Sequence, residues 1–556
     1  MAVQERWATR VGLVLAVAGN AVGLGNFLRF PAQAAQNGGG AFLIPYLVSF
    51  VLMGVPLLWV EWAIGRHGGK FGHHAAPGMF DRLGNKRWLK YIGVFGLFTN
   101  LTLAAYYCYL ESWTLAYVYH SVVGTFGTTD PKPFFDHYLG VTAGSIFAFP
   151  REAFFWYSIT LALNIFILSR GLARGVELVC KYGLPSLMIF GVILAIRGLT
   201  LTTDDPGVVE SPLAGLNFIW QPQVEGLLSP KTWLAAAGQV FFTLSLGMGS
   251  IHCYAAYVRE NDDIALNASA AGWTNEFVEV IIGSSILIPI ATAYLGLDAV
   301  QSQTSGGSGF AMGFLTLPTL FNQWGWLAPV AGALWFGLLF LAGLTSSLAM
   351  GPPVMAFLED EFNWRRVPSA LTFGAGTFAL GFVCVWLYPG GSFDEFDFWT
   401  GTFSLVVFAL AEAFIFAYVF GMDRGWAEIT RGADMNVPRV FRFVIKYVTP
   451  AFILIIFIGS LIQPEGKWIN AFHSLSAGRG WPLSGGSVLG KVLHVGEQGG
   501  WFDETGAPTR RLVIDGTRVL LSLVFIGCSF LVWKAWRKKA PGADAARGAE
   551  SFIRRG

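Results

Sequence analysis

Two short stretches of this chain carry residues suited to gripping small ions. Ala18-Gly19-Asn20-Ala21-Val22-Gly23-Leu24-Gly25-Asn26 and Thr243-Leu244-Ser245-Leu246-Gly247-Met248-Gly249-Ser250 set glycines beside amides and hydroxyls inside otherwise apolar sequence. Both contain the pattern apolar-Gly-apolar-Gly-polar, at Val22 to Asn26 and Leu246 to Ser250. Glycine weakens a helix, so both read as breaks. A break frees backbone carbonyls that can coordinate a cation. It also opens the next half-helix with N–H groups that attract an anion. Neither break holds Lys or Arg. Two glycine-kinked helices in close packing are the plainer alternative; Asn20, Asn26, Thr243 and Ser245 weigh against it.

The elements that position these residues are built for a bilayer. The chain has 556 residues, of which 54% are hydrophobic and 13% charged, and its mean hydropathy is +0.53. A single soluble core saturates below that much apolar surface, whereas lipid solvates it. Apolar runs recur at Phe42–Trp62, Tyr91–Tyr119, Phe154–Leu168, Gly183–Ile196, Ile281–Leu295, Val330–Leu348, Ala370–Leu387, Leu405–Phe420, Pro450–Ile462 and Val519–Trp533. With the interrupted regions near 10–33 and 231–256, they predict an all-α membrane protein of about twelve transmembrane helices. Non-helical backbone at membrane depth survives only where it lines a cavity or is buried in protein. The second break falls five crossings after the first, which predicts an inverted repeat with a binding site between the breaks.

Most Lys and Arg fall in segments that are cytoplasmic if the N-terminus is inside, chiefly 66–90, 424–446 and 534–539. That asymmetry predicts cytoplasmic N- and C-termini. The first apolar segment runs on through Arg29, Phe30 and Pro31, so it is expected to be a crossing and not a removable signal. The cysteines at 108, 180, 253, 384 and 528 have no CxxC spacing and read as buried small hydrophobes. Nothing in the charge pattern calls for nucleic acid.

Trp7-Ala8-Thr9-Arg10, Gly19 through Pro31, Asn37-Gly38-Gly39-Gly40-Ala41-Phe42, Gln239 through Ser245, Asn275-Glu276 and Gly343-Leu344-Thr345-Ser346-Ser347 closely resemble the neurotransmitter:sodium symporter family. The likeness fades near Pro450. It implies a LeuT-like 5+5 inverted repeat with unwound first and sixth helices. A transporter core would occupy 1–450, with repeats about 8–200 and 230–422. Two further helices would follow at 451–539, with an external loop about 464–511, and then a disordered cytoplasmic tail at 540–556. The resemblance implies sodium-coupled import of a neutral amino acid across the inner (plasma) membrane. It leaves a homodimer open.

The resemblance also implies two Na⁺ sites. The first would use the Ala21 carbonyl, Asn26, Thr243 and Asn275, completed by the substrate carboxylate. The second would use the carbonyls of Gly19, Val22 and Ala342 and the hydroxyls of Thr345 and Ser346. These are hard oxygen ligands, as sodium prefers. The substrate carboxylate would meet Leu24, Gly25 and the Tyr107 hydroxyl, and its ammonium the Asn20–Ala21 break, Phe242, Thr243 and Ser245. Leu103, Leu110, Phe242, Met248, Ser346 and Met350 would form the side-chain subsite, whose apolar character favours a hydrophobic or aromatic guest. Monoamine carriers of the family have Asp in place of Gly23. A glycine there implies a substrate that brings its own carboxylate.

Arg29 and Asp397 would pair as an outer gate above Tyr107 and Phe242. At the inner gate Gln4 stands where the family has Arg, so Arg6 is the candidate partner of Asp360. Glu279 stands where chloride-dependent relatives carry a small hydroxyl residue, and a fixed carboxylate there implies chloride independence; it could also exchange a proton. Glu61 is expected to hydrogen-bond the freed backbone of the breaks, and Glu111 and Glu412 to be structurally paired. A channel would need rings of charge that are absent from the sequence. The glycine spacing does not fit a dinucleotide loop, and no catalytic constellation appears, so no enzyme is expected. A transport-silent amino-acid sensor on the same fold remains the rival.

Overall fold

The computed structural model describes residues 7–553 except Asn85, Gly144, Gly307, Ser308, Gln498 and Thr505. Arg6 lies outside the described residues, as do the side chains of 304–306 and 538–553. The described residues are predominantly helical. Strand pairing among the described residues is limited to two isolated bridges, Pro464 with Leu483 and Phe502 with Pro508.

Among the described residues ten helices are long and apolar enough to cross a membrane. The pair Arg10–Ala21 and Gly25–Gln36 bends by 48° and makes one broken crossing more. Pro230–Thr243 and Ser250–Ala256, on either side of the second break, make another. In chain order the broken crossings are the first and sixth spans. The others are Gly40–Gly69, Leu89–Val122, Arg151–Ser169, Leu172–Leu199, Ile264–Leu295, Ala328–Phe362, Arg366–Trp386, Ser392–Thr430, Val440–Leu461 and Arg510–Arg537.

Local chemistry sets several starts. The Thr9 side chain accepts the Gly12 N–H, Ser229 that of Thr232, and Asp263 that of Leu266. Each satisfies an orphan donor in the first turn. Packing then centres both broken spans. The first half of the first span lies against the fifth, seventh and eighth, both halves of the sixth lie against the second, and the third runs along the eighth.

Some boundaries differ from the expectation. The seventh span begins at Ile264, well before the apolar run at Ile281, because its polar start (Asn267, Asn275, Glu276, Glu279) faces protein and is buried. The longer connections contain helices, Pro131–Tyr138, Pro212–Trp220 and Leu297–Gly306 among them. The last helix is Arg510–Ile553.

The second break depends on left-handed backbone. Ser245, Gly247 and Gly249 have φ of 54°, 67° and 90°. A side chain on Gly247 would be strained by its φ and would also run into the carbonyl of Leu405 on the tenth span. Gly247→Ala should therefore lower the melting temperature of the detergent-solubilised protein, at a cost of about 1–3 kcal/mol. Gly238→Ala sits in the helix before the break with nothing within 4 Å of the added methyl. It should be neutral or stabilising by up to about 1 kcal/mol. Equal melting temperatures for the two variants would contradict this account of the break.

Candidate functional site

Between the breaks lies a small cavity, lined by Asn20, Ala21, Gly23, Gly25, Asn26, Leu103, Tyr107, Phe242, Thr243, Ser245, Met248, Ser346, Met350 and Leu405. All come from the first, third, sixth, eighth and tenth spans. Its polar atoms lie at the breaks and at Tyr107 and Ser346, while its apolar wall is made by Leu103, Met248, Met350, Leu405 and Phe242. Lys and Arg are absent from the lining.

Two expected residues stand apart. Leu24 contributes its amide, which donates to the Tyr107 hydroxyl at 3.3 Å, while its side chain is buried elsewhere. Leu110 does not line the cavity. It shares a helical face with Leu103 but lies seven residues on, about 10 Å along the axis, beyond the cavity's height. Leu405 was not expected. The close approach of its carbonyl to Gly247 carries it in, and periodicity gives no sign of that contact.

Each break has its own stitching. The Gly23 N–H donates to Asn26 Oδ1 at 2.8 Å, and the Ser245 hydroxyl donates to the Asn20 carbonyl at 3.1 Å. The Gly247 N–H donates to Glu61 Oε1 at 2.7 Å, the role expected for that carboxylate at the sixth span. A side chain on Gly23 would stand 2.8 Å from the Tyr107 hydroxyl and 2.9 Å from Ser346 Oγ. One on Gly25 would stand 2.7 Å from the Phe242 ring. Both glycines let the cavity walls close together.

The residues expected at the first ion site converge. Asn26 Nδ2 donates to Asn275 Oδ1 at 2.8 Å, and Asn275 Nδ2 to Thr243 Oγ1 at 3.0 Å. Glu279 joins the same network. It accepts from Gln239 Nε2 at 2.6 Å, from Asn26 Nδ2 at 3.2 Å, and from the Thr243 hydroxyl. All five residues are fully buried. Of the residues expected at the second site, Gly19 lies against Thr345 and Ser346. Ser346 Oγ donates to the carbonyls of Gly19 and Asn20 at 3.3 and 3.1 Å, and Thr345 Oγ1 to those of Leu341 and Ala342 at 3.0 and 3.2 Å. Val22 ends the first half-helix, its N–H donating to the Ala18 carbonyl at 2.7 Å.

Side chains flank the cavity at both ends. At one end the Arg29 guanidinium lies 4.4 Å over the Phe242 ring. Asp397 accepts from the Tyr106 hydroxyl at 2.8 Å, and no direct Arg29–Asp397 ion pair occurs among the described residues. At the other end Asp360 accepts from the His74 amide at 2.7 Å and faces its ring at 3.2 Å. The Glu177 carboxylate receives the Ala8 and Thr9 amides at 2.8 and 3.2 Å and the Thr9 hydroxyl at 2.9 Å. Trp7 Nε1 donates to the Tyr254 carbonyl at 3.1 Å. Tyr106, His74 and Glu177 escaped the sequence reading. The Trp7–Arg10 motif was the one signal that the N-terminal segment docks. Glu111 is paired as expected, receiving Asn164 Nδ2 at 3.2 Å.

A bundle in which two broken spans face each other across a central cavity is the architecture of a secondary transporter. The model of the sodium:neurotransmitter symporter family matches residues 4–131 and 152–495, and the chain belongs to that family. The match runs past Pro450, where the resemblance had been expected to fade. An uncharacterized sodium-dependent transporter of Haemophilus influenzae is 27% identical over 479 residues, covering 82% of this chain and 98% of the relative. The sodium-dependent nutrient amino acid transporter 1 of Drosophila melanogaster is 25% identical over 527 residues, covering 84% and 78%. The crystal structure of MhsT in complex with L-phenylalanine superposes with a TM-score of 0.69 at 30% identity, over 82% of this chain and 99% of that one.

The Glu177 latch generates a prediction. Cys180 is buried beside Gly19, a turn beyond Glu177. Glu177→Ala removes hydrogen bonds to a charged acceptor that hold the N-terminal segment, worth about 1.5–3 kcal/mol each. Labelling of Cys180 by a small membrane-permeant maleimide, read by mass spectrometry, should speed up about tenfold or more. An unchanged rate would show that the latch does not hold the inner side shut.

Proposed function

We propose that the protein is a sodium-coupled symporter that imports a neutral, hydrophobic or aromatic L-amino acid by alternating access, without chloride. The observation that carries this reading is the cavity. It offers freed backbone and hydroxyls at one end, an apolar wall at the other, and no charged side chain in its lining. A zwitterion supplies both charges itself, so a lining without Lys, Arg, Asp or Glu suits it. The phenylalanine complex of MhsT and the nutrient amino acid transporters of insects support the substrate class.

On this reading two Na⁺ ions are cargo. One is held by the Ala21 carbonyl, Asn26, Thr243, Asn275 and the substrate carboxylate. The other is held by the Gly19, Val22 and Ala342 carbonyls with Thr345 and Ser346. Because the substrate completes one ion's shell, each improves the other's binding reciprocally. Two charges crossing about 100 mV release about 4.6 kcal/mol, enough to concentrate a neutral zwitterion roughly a thousandfold. Glu279, in direct contact with three of the first-site residues, supplies the fixed negative charge that makes chloride unnecessary. Arg29, Phe242, Tyr107 and Asp397 close the outer mouth, and Asp360 belongs to the inner one. The same charge asymmetry of the loops supports both termini in the cytoplasm of a plasma-membrane carrier.

Uptake into proteoliposomes tests this. Replacing external Na⁺ by K⁺ should abolish uptake, and competition over the standard amino acids should select phenylalanine-like or leucine-like side chains; sodium-independent uptake would refute the reading. Replacing Cl⁻ by gluconate should change the rate less than about twofold, whereas an added anion shell at the Glu279→Ser variant should make it chloride-dependent. Thr345→Ala with Ser346→Ala should weaken sodium-dependent substrate binding at least about tenfold, and an unaltered sodium affinity would remove the second site.

A further inference from the structure

Glu61, His252 and Glu412 come from the second, sixth and tenth spans and are fully buried. Their polar atoms lie within 4.8 Å of one another. The imidazole touches both carboxylates, Nδ1 at 3.8 Å from Glu61 Oε2 and Nε2 at 3.3 Å from Glu412 Oε2, and the two carboxylates also face each other directly. Glu61 Oε1 is taken by the Gly247 N–H. Glu61 Oε2, both ring nitrogens and both Glu412 oxygens have no hydrogen-bond partner. The rings of Phe80, from the Ala76–Leu83 helix, and Phe408, from the tenth span, face the imidazole at 6.1 and 5.9 Å. Asn100 of the third span donates to the Met248 carbonyl nearby at 2.6 Å and bears no charge. Among the described residues no Lys or Arg pairs with any of the three.

We propose that Glu61, His252 and Glu412 form a proton-binding site that is loaded while the sixth span is closed and unloads when it opens. The charge count requires it. Two ionised carboxylates beside a neutral imidazole would put two uncompensated negative charges in a dry interior, which is among the costliest arrangements a membrane protein can hold. Two protons shared over the three groups bring the cluster to zero net charge. They also give the unpartnered oxygens and nitrogens something to share across their gaps. A metal ion held by both carboxylates would engage one ring nitrogen; here the two nitrogens face opposite carboxylates, an arrangement suited to bridging protons.

The site is tied to the cavity through the break. Glu61 grips Gly247, and His252 rides on Ser250–Ala256, the half-helix that follows. That half-helix ends beside Trp7, so the cluster lies on the N-terminal side of the cavity. Movement of the half-helix that opens this side admits water, and a hydrated carboxyl releases its proton at neutral pH. The closed state thus binds more protons than the open one. Acid stabilises closure, and a rise in pH favours opening.

The inference rests on the transport reading only for the cycle in which the site works, so two readouts separate them. In the purified protein, sodium plus phenylalanine-induced infrared difference spectra should show the carbonyl band of a protonated carboxyl, and Glu412→Gln should remove it. In proteoliposomes at fixed sodium, wild-type uptake should slow at least about threefold between about pH 7.5 and about pH 6, with one proton limiting the effect to about tenfold per unit. His252→Gln, which keeps the side chain's bulk and loses the titration, should flatten that profile while retaining sodium-dependent binding. A protonated-carboxyl band that survives Glu412→Gln, a pH profile unchanged in His252→Gln, or acid inhibition relieved by EDTA would overturn the proposal. Absent sodium dependence with the infrared band intact would instead overturn the symport reading alone.

Discussion

Everything in this molecule turns on backbone that is not helical at the middle of a bilayer. Water is not there to satisfy it, so each freed donor needs a partner supplied by the protein. Gly23 finds the Asn26 side chain and Gly247 finds Glu61. Each unmet group would cost several kcal/mol in hydrocarbon, more than any single apolar contact nearby returns. The second, seventh and tenth spans carry their intramembrane carboxylates where the breaks are. Glu61 takes the Gly247 amide, Glu279 accepts from Asn26 and Thr243, and Glu412 lies against His252 of the half-helix after the second break.

That constraint explains the shape of the packing. Glycines at 23 and 25 bring Tyr107, Ser346 and Phe242 onto the first break, and Gly247 brings the tenth span onto the second. Small residues here do more than allow close helices. They place hydroxyls and amides within hydrogen-bond reach of free carbonyls, as at Ser346 and Gly19 or Ser245 and Asn20. The alternative of glycine-kinked, continuous helices is therefore excluded by the six-residue gap between Thr243 and Ser250 and by the bend at Val22–Leu24.

Much of this was legible in the sequence because it is written locally. The two glycine patterns mark the breaks, and the apolar runs mark most spans. A membrane leaves few ways to satisfy backbone other than helix, so composition alone constrains the class. The seventh span's polar start was misplaced because hydropathy assumes that polar means outside. Asn275, Glu276 and Glu279 are buried against other spans instead. Leu405, Tyr106, His74 and Glu177 were invisible for a different reason. Their roles depend on contacts between residues more than a hundred positions apart, and no periodicity encodes which faces of distant helices will meet.

His252 shows why a single side chain can change what a break does. Glu61 and Glu412 face each other directly, and the Gly247 amide links Glu61 to the sixth span. His252 adds to the cluster a member carried by the half-helix itself. On the proton-site proposal the charge state of the cluster is coupled to the position of that half-helix, through the few residues from Gly247 to His252. An ion-coupled carrier needs some term in its free energy that differs between its open and closed forms and that solution conditions can adjust. Here the same bonds that satisfy the unwound backbone supply that term.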